Sequence, residues 1–250
     1  MQGFINHNIT HTSPSSINKW ADAPDAWIAQ YILGAKFGFS PAARAGVLAE
    51  DAVVDVLARG MTQNDATTKA IETFARATLF DRSDKTAARG EMIPGMIDLA
   101  LKELSQYGTP EFDEGGKQKK ININCRVDDW TIPVIGYLDL FYPQHGLVID
   151  LKTTSRLPSE MSQGHLRQQA IYKAAMGNCA VKFLYVTGKK FAVYEPDDTS
   201  DTLAEIKSIL RRQNNFLMLG NAETLKNTVP VVNSFYWSDD MALRRELYGF

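Results

Sequence analysis

The sequence predicts an α/β (α+β) fold with a central mixed β-sheet flanked by helices and a helical N-terminal part. Three observations carry this expectation. Apolar residues recur at helical spacing up to about Tyr107. β-rich segments with turn residues between them then cluster from Ile121 to Tyr194. A helical stretch, 159–176, interrupts those strands, and helical spacing returns after Asp201.

In chain order, Ser13-Pro14-Ser15-Ser16 reads as a helix start, with Ser13 a cap and Pro14 suited to the first turn. One helix is expected to continue through Trp20, Trp27 and Tyr31. Pro41 opens the next, which ends near Gly60, and further helices are expected over 64–79 and 85–104. Residues 108–116 are rich in Gly, Pro and acids and read as a loop. Strands are expected over 121–127, 131–142 and 147–152, then over 181–187 and 191–194 on either side of Gly188-Lys189-Lys190. Helices over 203–217 and 240–247 close the chain. The whole is read as one domain, 1–250, with a mainly helical part (1–107), a sheet-containing core (117–195) and C-terminal helices (199–250).

Composition removes several function classes. The apolar share of 44% and charged share of 22% suit a soluble globular chain, and no apolar run approaches the roughly 20 residues of a membrane span. The opening Met1-Gln-Gly-Phe-Ile-Asn-His7 lacks the basic flank and apolar stretch of a secretory signal, so a reducing cytoplasm is expected. Cys125 and Cys179 are the only cysteines and neither belongs to a CxxC pair, which disfavours a disulfide scaffold, a zinc knuckle and a four-cysteine iron–sulfur site. A net charge of −2 argues against coating DNA by bulk attraction. Between Lys152 and Lys190, however, the only acid is Glu160, against Lys152, Arg156, Arg167, Lys173, Lys182, Lys189 and Lys190. That run reads either as a phosphate-binding patch or as a solvated face.

The most informative stretch runs from Gly136 to Lys152. Pro143-Gln-His-Gly146 is suited to a turn, and pairing Tyr142 with Leu147 carries back to set Asp139 opposite Asp150. Directly opposed residues share a sheet face, with Cβ atoms about 4.5–5.5 Å apart. Lys152, two residues past Asp150, projects from that same face. Two facing carboxylates need a cation between them, and hard ions such as Mg²⁺ and Mn²⁺ favour carboxylate and carbonyl oxygens. Phosphodiester hydrolysis uses such an ion, and a neighbouring lysine can orient water or stabilise developing charge. A solvent-facing strand surface on which Asp and Lys alternate with apolar residues is the other reading.

Two helices add candidates. Gly46, Val47, Glu50, Val53, Val54 and Leu57 form one stripe, which places Glu50 in an apolar face while Asp51 and Asp55 fall toward the polar side. Glu50 is then either a third metal ligand or an edge residue paired with Arg44 or another base. His165, Gln168 and Tyr172 recur at helical spacing after Lys152, with Gln169 alongside, and read as nucleotide contacts or as a helix–water boundary.

In order along the chain, these pieces resemble the PD-(D/E)XK nuclease superfamily, and within it the RecB-like exonuclease branch. Ser13 to Trp20 is similar to the Ser-rich opening of many RecB-like domains. Gly46-x-x-x-Glu50 resembles the helix that presents an acid or histidine to the metal, and Gly136-Tyr-Leu-Asp139 the Gly-x-x-Asp strand. Asp150-Leu-Lys152 resembles the Asp/Glu-x-Lys strand, and Gln168-x-x-x-Tyr172 the Gln-x-x-x-Tyr motif. The resemblance implies a restriction-endonuclease-like core and hydrolysis of DNA dependent on one or two Mg²⁺ or Mn²⁺ ions. Glu50, Asp139 and Asp150 would hold metal with the Leu151 backbone carbonyl, and Lys152 would be the catalytic lysine. Gln168 and Tyr172 would contact DNA or brace the site, and Ser13, Ser15, Arg156 and His165 are further candidate DNA contacts. Ala23-Pro24 stands where a Cys-Pro often occurs in members with an iron–sulfur cluster, so no cluster is expected. The expected partner is linear DNA with ends, acted on by a compact phage-type enzyme working in the cytoplasm of a bacterial host. A homo-oligomer or a recombination partner protein stays open.

Overall fold

A computed structural model describes residues 1–38, 40–81, 83–196 and 199–249. The N-terminal helices are α1 (Gln2–Asn6), α2 (Pro14–Asp22), α3 (Pro24–Tyr31), α4 (Pro41–Arg59), α5 (Gln63–Ala77) and α6 (Asp84–Leu104). The Ser13 hydroxyl caps α2 by accepting from Ser16 N at 3.2 Å. Ser40, Thr62 and Ser83 cap α4, α5 and α6 in the same way. The single helix expected through Trp20 and Tyr31 is instead two. Pro24 restricts the preceding Ala23, which leaves helical geometry at φ −155°, ψ 74° and joins α2 to α3. Trp27 Nε1 then donates to Ser16 Oγ at 2.8 Å across the corner.

Among the described residues, six strands form two sheets. β1 (Lys119–Val127) and β2 (Trp130–Leu138) make an antiparallel ribbon. β3 (Leu140–Tyr142), β4 (Leu147–Thr153), β5 (Ala180–Val186) and β6 (Phe191–Tyr194) make a mixed four-stranded sheet in that spatial order. β4 and β5 are parallel, joined through α7 (Gln163–Met176), while the outer pairs are antiparallel. The strand expected over 131–142 therefore splits at Asp139, where the chain passes from one sheet to the other. α8 (Ser200–Leu217), α9 (Ala222–Thr228) and α10 (Met241–Tyr248) follow. α1 and α9, of five and seven residues, are too short to show a periodic apolar stripe, and sequence reasoning missed both.

The four-stranded sheet is buried on both faces. Leu147, Ile149, Leu151 and Leu184 pack with Ala49, Val53 and Ile97 from α4 and α6. Val148, Phe183 and Tyr185 pack on the other side with Ile171 of α7, Leu210 of α8 and the β1–β2 ribbon. Alternation along β4 sets Asp150 and Lys152 on the face of Val148, toward α7. The solvent-facing alternative fails, because Asp150 is 0% exposed.

Candidate active site

Tyr142 pairs with Leu147 and Leu140 with Ile149, and the same count sets Asp139 opposite Asp150. Asp139 also ends the other ladder. Lys119 pairs with Leu138 across β1 and β2, so the residue before it, Gln118, stands opposite Asp139. The acid is thus placed twice, from two sheets. Its Oδ2 accepts from Leu151 N at 2.9 Å and its Oδ1 from Gln118 Nε2 at 2.7 Å. The same amide nitrogen donates to Glu50 Oε1 at 2.6 Å, which ties α4 to the hairpin.

Asp150 is held from two sides. Lys152 Nζ lies 2.5 Å from Oδ1, and Gln168 Nε2 donates to Oδ2 at 2.7 Å. Gln168 Nε2 also donates to the Tyr172 hydroxyl at 2.8 Å, and that hydroxyl donates to the Tyr137 carbonyl at 2.7 Å. The two side chains form a strut from β2 to Asp150. Tyr172 is 3% exposed and lies beneath the site, so of its two expected roles the structure favours bracing the site over touching DNA. Gln168 spends its amide protons on the same strut.

Gly136, on β2 against the Tyr172 ring, explains the glycine of Gly-x-x-Asp. A Cβ there would sit 3.1 Å from Tyr172 Cε1 and 3.2 Å from Ile121 Cδ1. Gly136→Ala is expected to cost about 1–2 kcal/mol through overpacking, read as a fall in melting temperature of a few degrees. An unchanged or higher melting temperature would show that the ring has room to move. Gly46 serves α4 in a similar way, since its Cβ would meet Thr153 Oγ1 at 2.4 Å.

Burial, and then mutual repulsion, dominates the electrostatics. Burial first, then Asp150, raises the Glu50 carboxyl to about 7. Burial, Asp150 and Glu50 hold Asp139 well above the usual carboxylate range, and burial raises Asp150 against the opposing pull of Lys152. Burial alone would lower Lys152, but Asp150, Asp139 and Glu50 outweigh it and keep the ammonium protonated. One lysine against three carboxylates leaves the cluster short of positive charge. The donor set, all hard carboxylate oxygen, suits Mg²⁺ or Mn²⁺. Among the described residues, no three Asp, Glu, His or Cys side chains stand close enough to enclose an ion as placed. The Gln118 amide lies between Glu50 and Asp139, and the Lys152 ammonium lies against Asp150.

Lys152 is 24% exposed and opens onto a cleft of about 730 Å³ lined also by Thr154, Arg156, Ser162, His165 and Tyr185. His165 stacks on Phe183 and hydrogen-bonds the Tyr185 hydroxyl. Burial, then the Lys152 charge, lowers its imidazole to about 4, so it is neutral at physiological pH. The structure does not bring every candidate here. Ser13 is committed to its cap, and Ser15 lines a separate groove with Lys19 and Tyr236. The basic run also disperses: Arg167 binds Glu205, Lys182 lies 3.4 Å from Glu195, and Lys173 donates to the Pro196 carbonyl. Of that run, Lys152 and Arg156 line the cleft. Asp55, placed on the polar side of α4 by its spacing, is 2% exposed and pairs with Arg59 and Lys69. Glu50 accepts from Gln118. Sequence reasoning missed Gln118. Extending the β1–β2 register by one residue past Lys119 would have found it.

No described helix is long and apolar enough to cross a membrane. No curated protein matches the chain. A solved structure titled "Crystal structure of SSO0001" shares 16% identity, covering 67% of this chain and 85% of that one, with a TM-score of 0.37. Residues 11–227 match the family described as the PD-(D/E)XK nuclease superfamily, whose nucleases generally use Mg²⁺ or Mn²⁺. That match spans Glu50, Asp139, Asp150, Lys152, Gln168 and Tyr172, and the chain belongs to the PD-(D/E)XK nuclease superfamily.

Proposed function

We propose that the chain is a metal-dependent DNA exonuclease of the RecB-like, phage type. It would hydrolyse phosphodiester bonds from the ends of linear DNA in recombination, repair or DNA degradation. The observation that carries this reading is the clustering of Glu50, Asp139, Asp150 and Lys152, with Lys152 opening onto the cleft. The three carboxylates, with the Leu151 carbonyl, are assigned to one or two Mg²⁺ or Mn²⁺ ions. Such an ion polarises a phosphoryl oxygen and lowers the pKa of bound water. Lys152 supplies a fixed positive charge beside the reacting phosphate, where transition-state charge develops. Gln168 and Tyr172 hold Asp150 in orientation. Arg156 and His165 face the strand in the cleft, Arg156 as a phosphate contact and neutral His165 as a hydrogen-bonding or stacking one. The assignment to ends rests on the motif series.

The test is cleavage of matched linear and covalently closed circular DNA with Mg²⁺, Mn²⁺ or EDTA. Metal-dependent loss of the linear substrate alone is expected. Cutting of both would replace the reading with an endonuclease, and binding without hydrolysis under any metal would replace it with an inert DNA-binding protein.

A further inference from the structure

Gln118 uses one nitrogen to satisfy two carboxylates from different elements. Its Nε2 lies 2.6 Å from Glu50 Oε1 and 2.7 Å from Asp139 Oδ1, so each of the two amide protons points at a different acid. The carbonyl end of the amide could not do this, because it has no proton to give. The position is fixed by fold rather than by chance contact. Gln118 follows Lys117, whose backbone bridges to Asp113, and precedes β1, whose register sets it opposite Asp139. On its other side, α4 brings Glu50 in through the close approach of Gly46 to Thr153. The amide therefore sits where a cation shared by Glu50 and Asp139 would have to sit.

We propose that Gln118 is a displaceable placeholder of the metal site, a positioning residue whose amide bridges Glu50 and Asp139 and must swing aside when a divalent cation binds. The inference rests on the metal-dependent reading of this site. Its physical consequence has a definite sign. Hydrogen bonds to charged groups are stronger than neutral ones, and a cation entering between these acids must replace two of them. Removing the donors spares the cation that cost. It also leaves the two acids facing each other without a bridge when no cation is supplied. Metal affinity should therefore rise while stability in chelator falls. Damage to the site from a merely structural role would lower both.

The test is calorimetric titration of MnCl₂ into the full chain at pH 8, with melting curves in EDTA and in Mn²⁺. Gln118→Met keeps the length of the side chain and loses both donors. Gln118→Asn keeps the amide but is one methylene too short to reach both acids, and it serves if the Met variant folds poorly. Either variant is expected to bind Mn²⁺ roughly tenfold tighter than the parent, to melt several degrees lower in EDTA, and to regain most of that loss in Mn²⁺. Equal or weaker Mn²⁺ binding by a folded variant would overturn the proposal. Asp139→Asn, run in parallel, separates the two ideas. If it binds Mn²⁺ as well as the parent, the metal assignment falls and the placeholder with it. If it loses binding while the Gln118 variants are unchanged, only the placeholder falls.

Discussion

DNA hydrolysis by Lys152→Ala is expected to fall by about 10³-fold or more, while Mn²⁺ affinity changes by less than about threefold. The separation follows from where the ammonium lies. Lys152 Nζ sits 2.5 Å from Asp150 Oδ1 at the mouth of the cleft, and Asp150, Asp139 and Glu50 together keep it protonated. It therefore acts as fixed positive charge, and it offers no oxygen to a metal. Truncation removes that charge and the partner of a fully buried carboxylate, so the variant should also melt lower in EDTA than in Mn²⁺. Lys152→Arg is expected to recover little activity, since a planar guanidinium cannot occupy the position of a compact ammonium against Asp150. Single-turnover cleavage with calorimetric Mn²⁺ titration distinguishes the two losses. Cleavage at the parent rate would remove Lys152 from the chemistry, and a matched collapse of metal binding would make it structural.

The second large effect is a pH-dependent gain in stability for Glu50→Gln. Burial, with Asp150 nearby, raises the Glu50 carboxyl to about 7 from its ordinary value of about 4.5. A group raised on folding stabilises the native state while protonated, below its unfolded value, and loses that contribution as pH climbs through the folded value. In EDTA the parent therefore forfeits on the order of 3 kcal/mol from Glu50 between about pH 4.5 and 8. The amide of Glu50→Gln keeps an acceptor for Gln118 and forfeits nothing. The stability gap between variant and parent should accordingly be small at pH 5 and widest at pH 8. Comparing the two proteins matters because His165 works in the opposite sense. Its imidazole is lowered to about 4, so its contribution is lost as pH falls below its unfolded value of about 6.5. That contribution is common to both proteins and cancels. Mn²⁺ should close the gap at pH 8 by binding the native parent and not the variant. Denaturant melts at four pH values would suffice, and a gap that does not grow with pH would sink the account of Glu50 as a carboxylate held against its own charge.

Much of the site is legible in the sequence because it is built on local rules. The turn Pro143-Gln-His-Gly146 determined the Tyr142–Leu147 pairing, and a period of two then set Asp139 opposite Asp150 and Lys152 on the same face as Asp150. Helix starts at Pro14 and Pro41 followed from cap and proline chemistry at single positions. Helical spacing put Glu50 in an apolar stripe, but the stripe itself is corrected: Val47 is 44% exposed, and Ala45, Ala49 and Ala52 join Val53 in the core. Each of these inferences needs only a few neighbouring residues.

What the sequence by itself determined, then, was the mixed fold, the hairpin and the trio of Asp139, Asp150 and Lys152 on one face. Only tertiary structure decided how those groups are partnered. The break at Asp139 depends on two sheets meeting there, and Leu151 N completes the bend from the opposite strand. Asp55 lies on the polar side of α4 by its spacing, yet α5 covers it and Lys69 neutralises it. Gln168 and Tyr172 form a strut because β2 presents the Tyr137 carbonyl just beyond the ring. The Glu50–Gln118–Asp139 bridge joins residues 68 and 21 positions apart. Periodicity reports which way a side chain points within its own element, whereas burial and pairing are set by whichever distant element packs against it.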